Sequence, residues 1–206
     1  MEHSPASLKG VINDLIQSLS RLFRIIVPVS LVDKEVRAEY DSGLEEVEIN
    51  VGMNFTRNPR QYELLRDYVV NNIKDASDQT QDKLRQIITR SVVENKPLSE
   101  VQADVKELFE ATRERAKMIA RTELSRARNL GHLEGARQSK LRLKKWVLVK
   151  EDERTSGICM AMHNKYGSEE QAIPLEENFE AADVSAQAPP FHVNCRSRLM
   201  TVQEEE

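Results

Sequence analysis

No apolar run in this sequence approaches the roughly 18 residues that a membrane-spanning helix needs, so no membrane partner is expected. The opening stretch, MEHSPASLKG, has neither the basic flank nor the apolar block of a secretory signal, and the expected setting is a reducing cytoplasm. Cysteine is scarce, with two residues in the chain. In that setting a thiol pair reads as a metal-binding pair or as inert buried thiols rather than as a structural disulfide. Also missing are a phosphate-binding loop, a dinucleotide fingerprint and an HExxH helix. A cysteine beside a histidine could serve as nucleophile and base, but no Gly-rich oxyanion turn or orienting carboxylate accompanies the pair. An enzyme is not expected.

What the sequence does have is enough apolar material for a core, 39% over 206 residues, which suits one substantial domain or two small ones. Its charge is uneven. Residues 1–110 carry 14 basic and 19 acidic side chains, residues 111–150 carry 12 and 3, and residues 151–206 carry 4 and 12. A basic segment followed by an acidic one fits mutual neutralisation within one fold. The alternative is a nucleic-acid contact through Arg126, Arg128, Arg137, Lys140, Arg142, Lys144 and Lys145.

Leu8, Val11, Ile12, Leu15, Leu19, Leu22, Phe23 and Ile26 recur at three and four residues, one face of an amphipathic helix that Pro28 ends. That stripe is read as core or as a docking face for a partner. From Ser30 to Arg60 the pattern weakens, and alternating Val47, Ile49 and Val51 suggest one short strand or nothing regular. Helical stripes return with Tyr62, Leu65, Val69 and Ile73, then Leu84, Ile87, Ile88, Val92 and Val93. Ser99 is the expected N-cap of a helix carrying Val101, Val105, Leu108 and Phe109, and a longer helix is expected from about Arg113 to Gln138. Inside it Gly131 and Gly135 each cost about 1 kcal/mol against Ala, which points to close packing on another element. KKWVLVK at Lys144 to Lys150 reads as a strand. Beyond it, Glu151 to Glu206 lacks helical periodicity and is broken by Pro174, Pro189 and Pro190, so little apolar burial is expected there.

In that tail Cys159-x3-His163 and His192-x2-Cys195 form two short chelating pairs. Zinc takes N and S ligands in a tetrahedron, and a closed structural site would stabilise what a thin core cannot. The alternative is two buried thiols and two polar histidines.

MIARTELSRARNLGHLEG at Met118 to Gly135, KKWVLVKEDERTSGICMAMHNK at Lys144 to Lys165 and PPFHVNCRSRL at Pro189 to Leu199 together resemble the phage Mu protein-F-like minor head proteins. The resemblance covers about residues 60–200. It implies a minor capsid protein that acts in head morphogenesis, with the portal protein and other capsid proteins as partners and packaged DNA as a further candidate. It also implies a virion location, at the portal vertex or capsid interior, after assembly in the host cytoplasm. The motif positions are Ile119, Ala120, Arg121, Thr122, Glu123, Trp146, Asp152, Arg154, Cys159, His192, Cys195 and Arg196. Many members carry further cysteines where this chain has Thr155, Ser156 and Gly157, and where it has Ser197, which makes His163 the candidate replacement ligand.

Glu123 lies at the edge of the apolar stripe of Ala116, Ile119, Ala127 and Leu130, where a buried carboxylate needs a cation; Arg196 or Arg154 is the expected clamp. The expected fold is therefore α+β, mainly helical in its N-terminal two-thirds, closed by a small irregular β module supported by zinc. Its expected divisions are an N-terminal helix and connector at 1–58 and a head morphogenesis domain at 59–206. The latter holds helices at 59–140, the β module at 141–200 and an acidic tail at 201–206.

Overall fold

The computed structural model describes residues 29–94, 96–139 and 143–204. The N-terminal stripe from Leu8 to Ile26 and its stop at Pro28 lie outside the described residues. Three long helices come first, α1 at Val29–Val51, α2 at Pro59–Val93 and α3 at Leu98–Gln138. Strand β1 (Leu143–Leu148), helix α4 (Gly157–Tyr166) and a 3-10 turn at Glu169–Gln171 follow. The chain closes with β2 (Ile173–Pro174), β3 (Phe179–Ala181), β4 (Val184–Ala186) and β5 (Arg198–Gln203). The fold is α+β, as expected, with the sheets confined to the C-terminal module.

Helix α1 replaces the expected strand or irregular stretch. Its buried stripe is Val36, Tyr40, Leu44 and Val47, spaced 4, 4 and 3 residues, which is a helical period. The alternation of Val47, Ile49 and Val51 was a false strand signal, since Ile49 is 81% exposed. Two further expectations are corrected. The helices expected at Val101 and at Arg113 are one continuous α3, and Ser99 lies inside it, because the helix starts at Leu98 directly after Pro97.

Among the described residues the chain forms two compact units, the first holding Tyr68–Lys117 and the second Asp33–Asp67 with the described residues after 117. In the first, the described halves of α2 and α3 meet through Leu84 and Ile88, packed with Val105 and Leu108. The Lys96 ammonium donates to Asp104 at 3.0 Å near the turn between the helices.

The second unit carries the motifs. Here α1 lies against the C-terminal half of α3 with almost no space between backbones. A Cβ on Gly43 would stand 1.9 Å from the Arg128 carbonyl oxygen, and one on Gly131 would stand 1.9 Å from that of Tyr40. Gly135 abuts the Val47 side chain, so the helical glycines are there for close approach, as their cost in a helix implied. Arg128 reaches across from α3 to Glu39 at 3.4 Å and also pairs with Glu46. His132 stands 3.5 Å from Glu46, an electrostatic contact longer than a good hydrogen bond. His132 and then Arg128 hold the Glu46 carboxyl down at about 2.

The C-terminal module buries more than its sequence promised. Val147, Val149, Cys159, Met162, Tyr166, Phe179, Phe191, Cys195 and Leu199 form a core with Leu133 of α3. Phe179 packs edge-on against both Tyr166 and Phe191, with ring centroids at 5.1 and 6.1 Å. The expectation of a thin core failed because periodicity was sought where α4 is short and the large residues come from separate loops and strands. The sheet order is β2-β1-β5, all antiparallel, with Trp146 opposite Met200 and Val147 opposite Leu199. Thr201, Val202 and Gln203, expected in an acidic tail, belong to β5.

Helix α3 covers the edge of β5 through one side chain. Asn129, 2% exposed, accepts from the Leu199 backbone N–H at 2.6 Å and donates to the Ser197 carbonyl at 3.4 Å. The amide thus takes the place of a neighbouring strand along an edge that would otherwise be open.

Candidate metal centre

Helix α4 begins beside the sheet with Ser156 as N-cap, its hydroxyl oxygen accepting the Cys159 N–H at 3.1 Å. This places Cys159 in the first helical turn. Opposite it the chain passes a cis peptide between Pro189 and Pro190 and turns over His192 to Cys195, where the Cys195 N–H donates to the His192 carbonyl at 3.3 Å. Asn194 sits in that turn at φ 62°, a left-handed conformation that Asn tolerates well. Its backbone N–H donates to the Thr122 hydroxyl at 2.8 Å, and Thr122 in turn donates to Met118 of its own helix. The Thr of the IARTE motif therefore holds the HVNC turn.

The result is a cluster of Cys159, His192 and Cys195, whose ligand atoms all lie within 4.8 Å of one another. The Cys159 sulfur is 3.0 Å from His192 Nε2 and 3.7 Å from the Cys195 sulfur. Both cysteines are free and buried. His192 Nδ1 is 2.8 Å from the Val193 carbonyl oxygen, which can only accept, so Nδ1 carries the proton and Nε2 presents its lone pair to the sulfurs. The Ser156 hydroxyl then donates to Nε2 at 2.8 Å. Two thiols at this separation share one charge: the Cys195 thiol is pushed down, chiefly by the contact with Cys159, while Cys159 is pushed up by Cys195 and by burial. Two thiols and an imidazole whose Nε2 lone pair faces them are the donor set of a borderline-soft divalent metal, and the group is close enough to bind one.

His163 is not with them. It lies one helical turn beyond Cys159, a rise of about 6 Å, and its Nε2 faces Glu151 at 3.2 Å. The four-ligand set expected from sequence is thus a three-residue cluster with His163 outside it.

The expected clamp is also rearranged. Glu123 is 5% exposed and pairs with Arg126, three residues on, at 3.1 Å. Arg196 instead grips Asp152 with both guanidinium nitrogens, one at 2.6 Å, and this pair holds the Asp152 carboxyl far below the usual carboxylate range. Arg154 is exposed and contributes its backbone N–H to Asp152 at 2.9 Å; Arg121 is exposed on α3. The Asp-x-Arg turn is therefore tied to the residue following Cys195.

The basic candidates are mostly occupied within the chain. Arg128 pairs with Glu39 and Glu46, and Arg126 with Glu123. Arg137 binds Glu176 at 3.0 Å and the Gln187 side chain at 2.7 Å. Lys145 is fully buried, its ammonium donating to the Gln187 carbonyl at 2.8 Å and lying 5.1 Å over the Phe179 ring. Burial, then the nearby Arg137, pushes Lys145 down to about 8. Lys140 and Arg142 lie outside the described residues, and Lys144 is described only as a backbone position of β1.

Sequence reasoning passed over Asn129, and Ser156 and Ser197 entered it only as places where a cysteine was missing. A polar residue with low helix propensity in the middle of a long apolar-striped helix was the available signal for Asn129.

A family model, phage Mu protein F like protein, matches residues 82–200, and the chain belongs to that family. No curated protein and no solved structure shows a significant match to the chain. The family suggests a phage head morphogenesis protein, with capsid proteins as partners. Among the described residues, no helix is long and apolar enough to cross a membrane.

Proposed function

We propose that the chain is a minor head protein of a tailed phage that acts without catalysis, through protein contacts at the portal vertex or capsid interior. The observation that carries this reading is how the motif residues use their polar groups. Thr122 of α3 holds Asn194 of the HVNC turn, Asp152 holds Arg196 within the module and Glu123 pairs with Arg126 within α3, so the residues that mark the family spend their polar groups inside the chain, and Thr122 ties α3 to the module. A catalytic site keeps such groups available to a substrate; a structural knot spends them on one another. Zinc, held by Cys159, His192 and Cys195, is the metal proposed to join α4 to the HVNC turn. The protein is made in the host cytoplasm and enters the virion.

Packaged DNA is the second reading, and the internal pairing of Arg126, Arg128 and Arg137 and the burial of Lys145 speak against it. Cross-linking of assembling heads followed by peptide mass spectrometry tests both. Cross-links to the portal or shell proteins support the contact role. Their absence, together with DNA binding by the purified chain that weakens steeply with salt, would favour the nucleic-acid role.

A further inference from the structure

We infer that the fourth corner of the metal centre is the Ser197 hydroxyl, making it a site of two thiolates, one imidazole and one neutral oxygen. The inference rests on the metal-binding reading above and goes beyond its three ligands.

Ser197 is 2% exposed, and its oxygen lies 3.2 Å from the Cys159 sulfur. Its hydroxyl and backbone N–H also bear on the Cys195 sulfur. A buried hydroxyl normally finds a strong oxygen or nitrogen partner, and thiols are weak ones. The Ser197 side chain is thus placed among the ligand atoms and poorly satisfied by them alone. A divalent cation bound there would take its oxygen lone pair directly.

The competing oxygen is that of Ser156, and it is committed elsewhere. It accepts the Cys159 N–H as the helix cap, a role that the start of α4 depends on. Ser197, by contrast, is positioned from outside the cluster, because Asn129 of α3 binds the backbone on either side of it, at the Ser197 carbonyl and the Leu199 N–H. The fourth donor is therefore held in place before any metal arrives. A neutral hydroxyl is a much poorer ligand for zinc than a thiolate, so the centre is weaker and exchanges its ion more readily than a site with three sulfurs.

The test uses the full chain, kept reduced and anaerobic, titrated with Co²⁺ and then with Zn²⁺ in competition with a chromophoric chelator. Wild type should show tetrahedral cobalt bands with thiolate charge transfer. In Ser197→Cys the charge-transfer intensity should rise by about half, two thiolates becoming three, and zinc should bind at least the roughly tenfold tighter that even outer-shell changes produce. Ser197→Ala should bind zinc several-fold more weakly, with the Trp146 emission unchanged as evidence of an intact module. His163→Ala should remain within a few-fold of wild type.

A Ser197→Cys spectrum and affinity equal to wild type would overturn the assignment, and so would a loss of zinc in His163→Ala larger than in Ser197→Ala. The second comparison stands even if the cysteine variant fails to fold. If wild type binds neither metal, the metal reading itself falls, and this inference with it.

Discussion

Lys145 offers a test of the module's packing that needs neither ligand nor partner. Its folded-state value of about 8 against the ordinary 10.5 means that the unfolded chain binds more protons between those two pH values. Stability must therefore rise with pH through that window, and the charged lysine costs the native state below it. At about 1.4 kcal/mol per unit the full cost is about 3 kcal/mol, of which about 2 kcal/mol is recovered between pH 7 and 9.5. That figure is an upper bound, because Arg137, Glu176 and Glu177 act on the ammonium from exposed positions. Lys145→Met should abolish the rise. Trp146, the chain's single tryptophan, neighbours Lys145 in β1, so its fluorescence reports unfolding of this module. With a urea dependence of about 2 kcal/mol per molar, the wild-type midpoint should climb by up to about 1 M between pH 7 and 9.5 relative to the variant. Parallel pH profiles for the two proteins would refute the reasoning.

Asn129→Ala should destabilise the same module by about 1–3 kcal/mol, the cost of leaving the buried Leu199 N–H without an acceptor, and urea unfolding followed at Trp146 reads it. Gly131→Ala should be far more damaging than a helix-propensity scale predicts, since its Cβ meets the Tyr40 carbonyl; a circular-dichroism melt at or above the wild-type temperature would contradict the close crossing of α1 and α3. Glu46 is depressed to about 2, so the stability it contributes is present above its ordinary value of 4.5 and is lost as pH falls from there toward 2. Glu46→Gln should flatten that acid limb of the stability curve, and an unchanged limb would remove the Arg128 and His132 contacts from the account.

The helices after Pro59 and the Trp strand were legible because apolar spacing is a one-dimensional signal, and so was the close packing at Gly131 and Gly135. Helix α1 was missed because its stripe of Val36, Tyr40, Leu44 and Val47 runs through an acid-rich stretch with competing alternation at Ile49 and Val51. The core of the module was missed because Phe179, Phe191 and Leu199 belong to elements of a few residues each, where no period can be read. Of the candidate ligands, Cys159, His192 and Cys195 converge, since the His192 to Cys195 turn fixes one pair and α4 delivers the third. His163 could be placed only once α4 was known to be a helix that turns it toward Glu151. Which arginine meets which carboxylate was not legible, because partners such as Asp152 and Arg196 are 44 residues apart and several geometries satisfy the same charges.

The central claim, that this chain works in head assembly through contacts of its braced module, is tested most directly in the encoding phage. Heads made with Thr122→Val, Asn129→Ala and Asp152→Asn together should be purified and their proteins quantified against wild-type heads. The account predicts that the variant chain is depleted from heads along with the partner it contacts, while DNA binding by the purified chain is unaffected. Full incorporation of the variant into normal, infectious particles would contradict it.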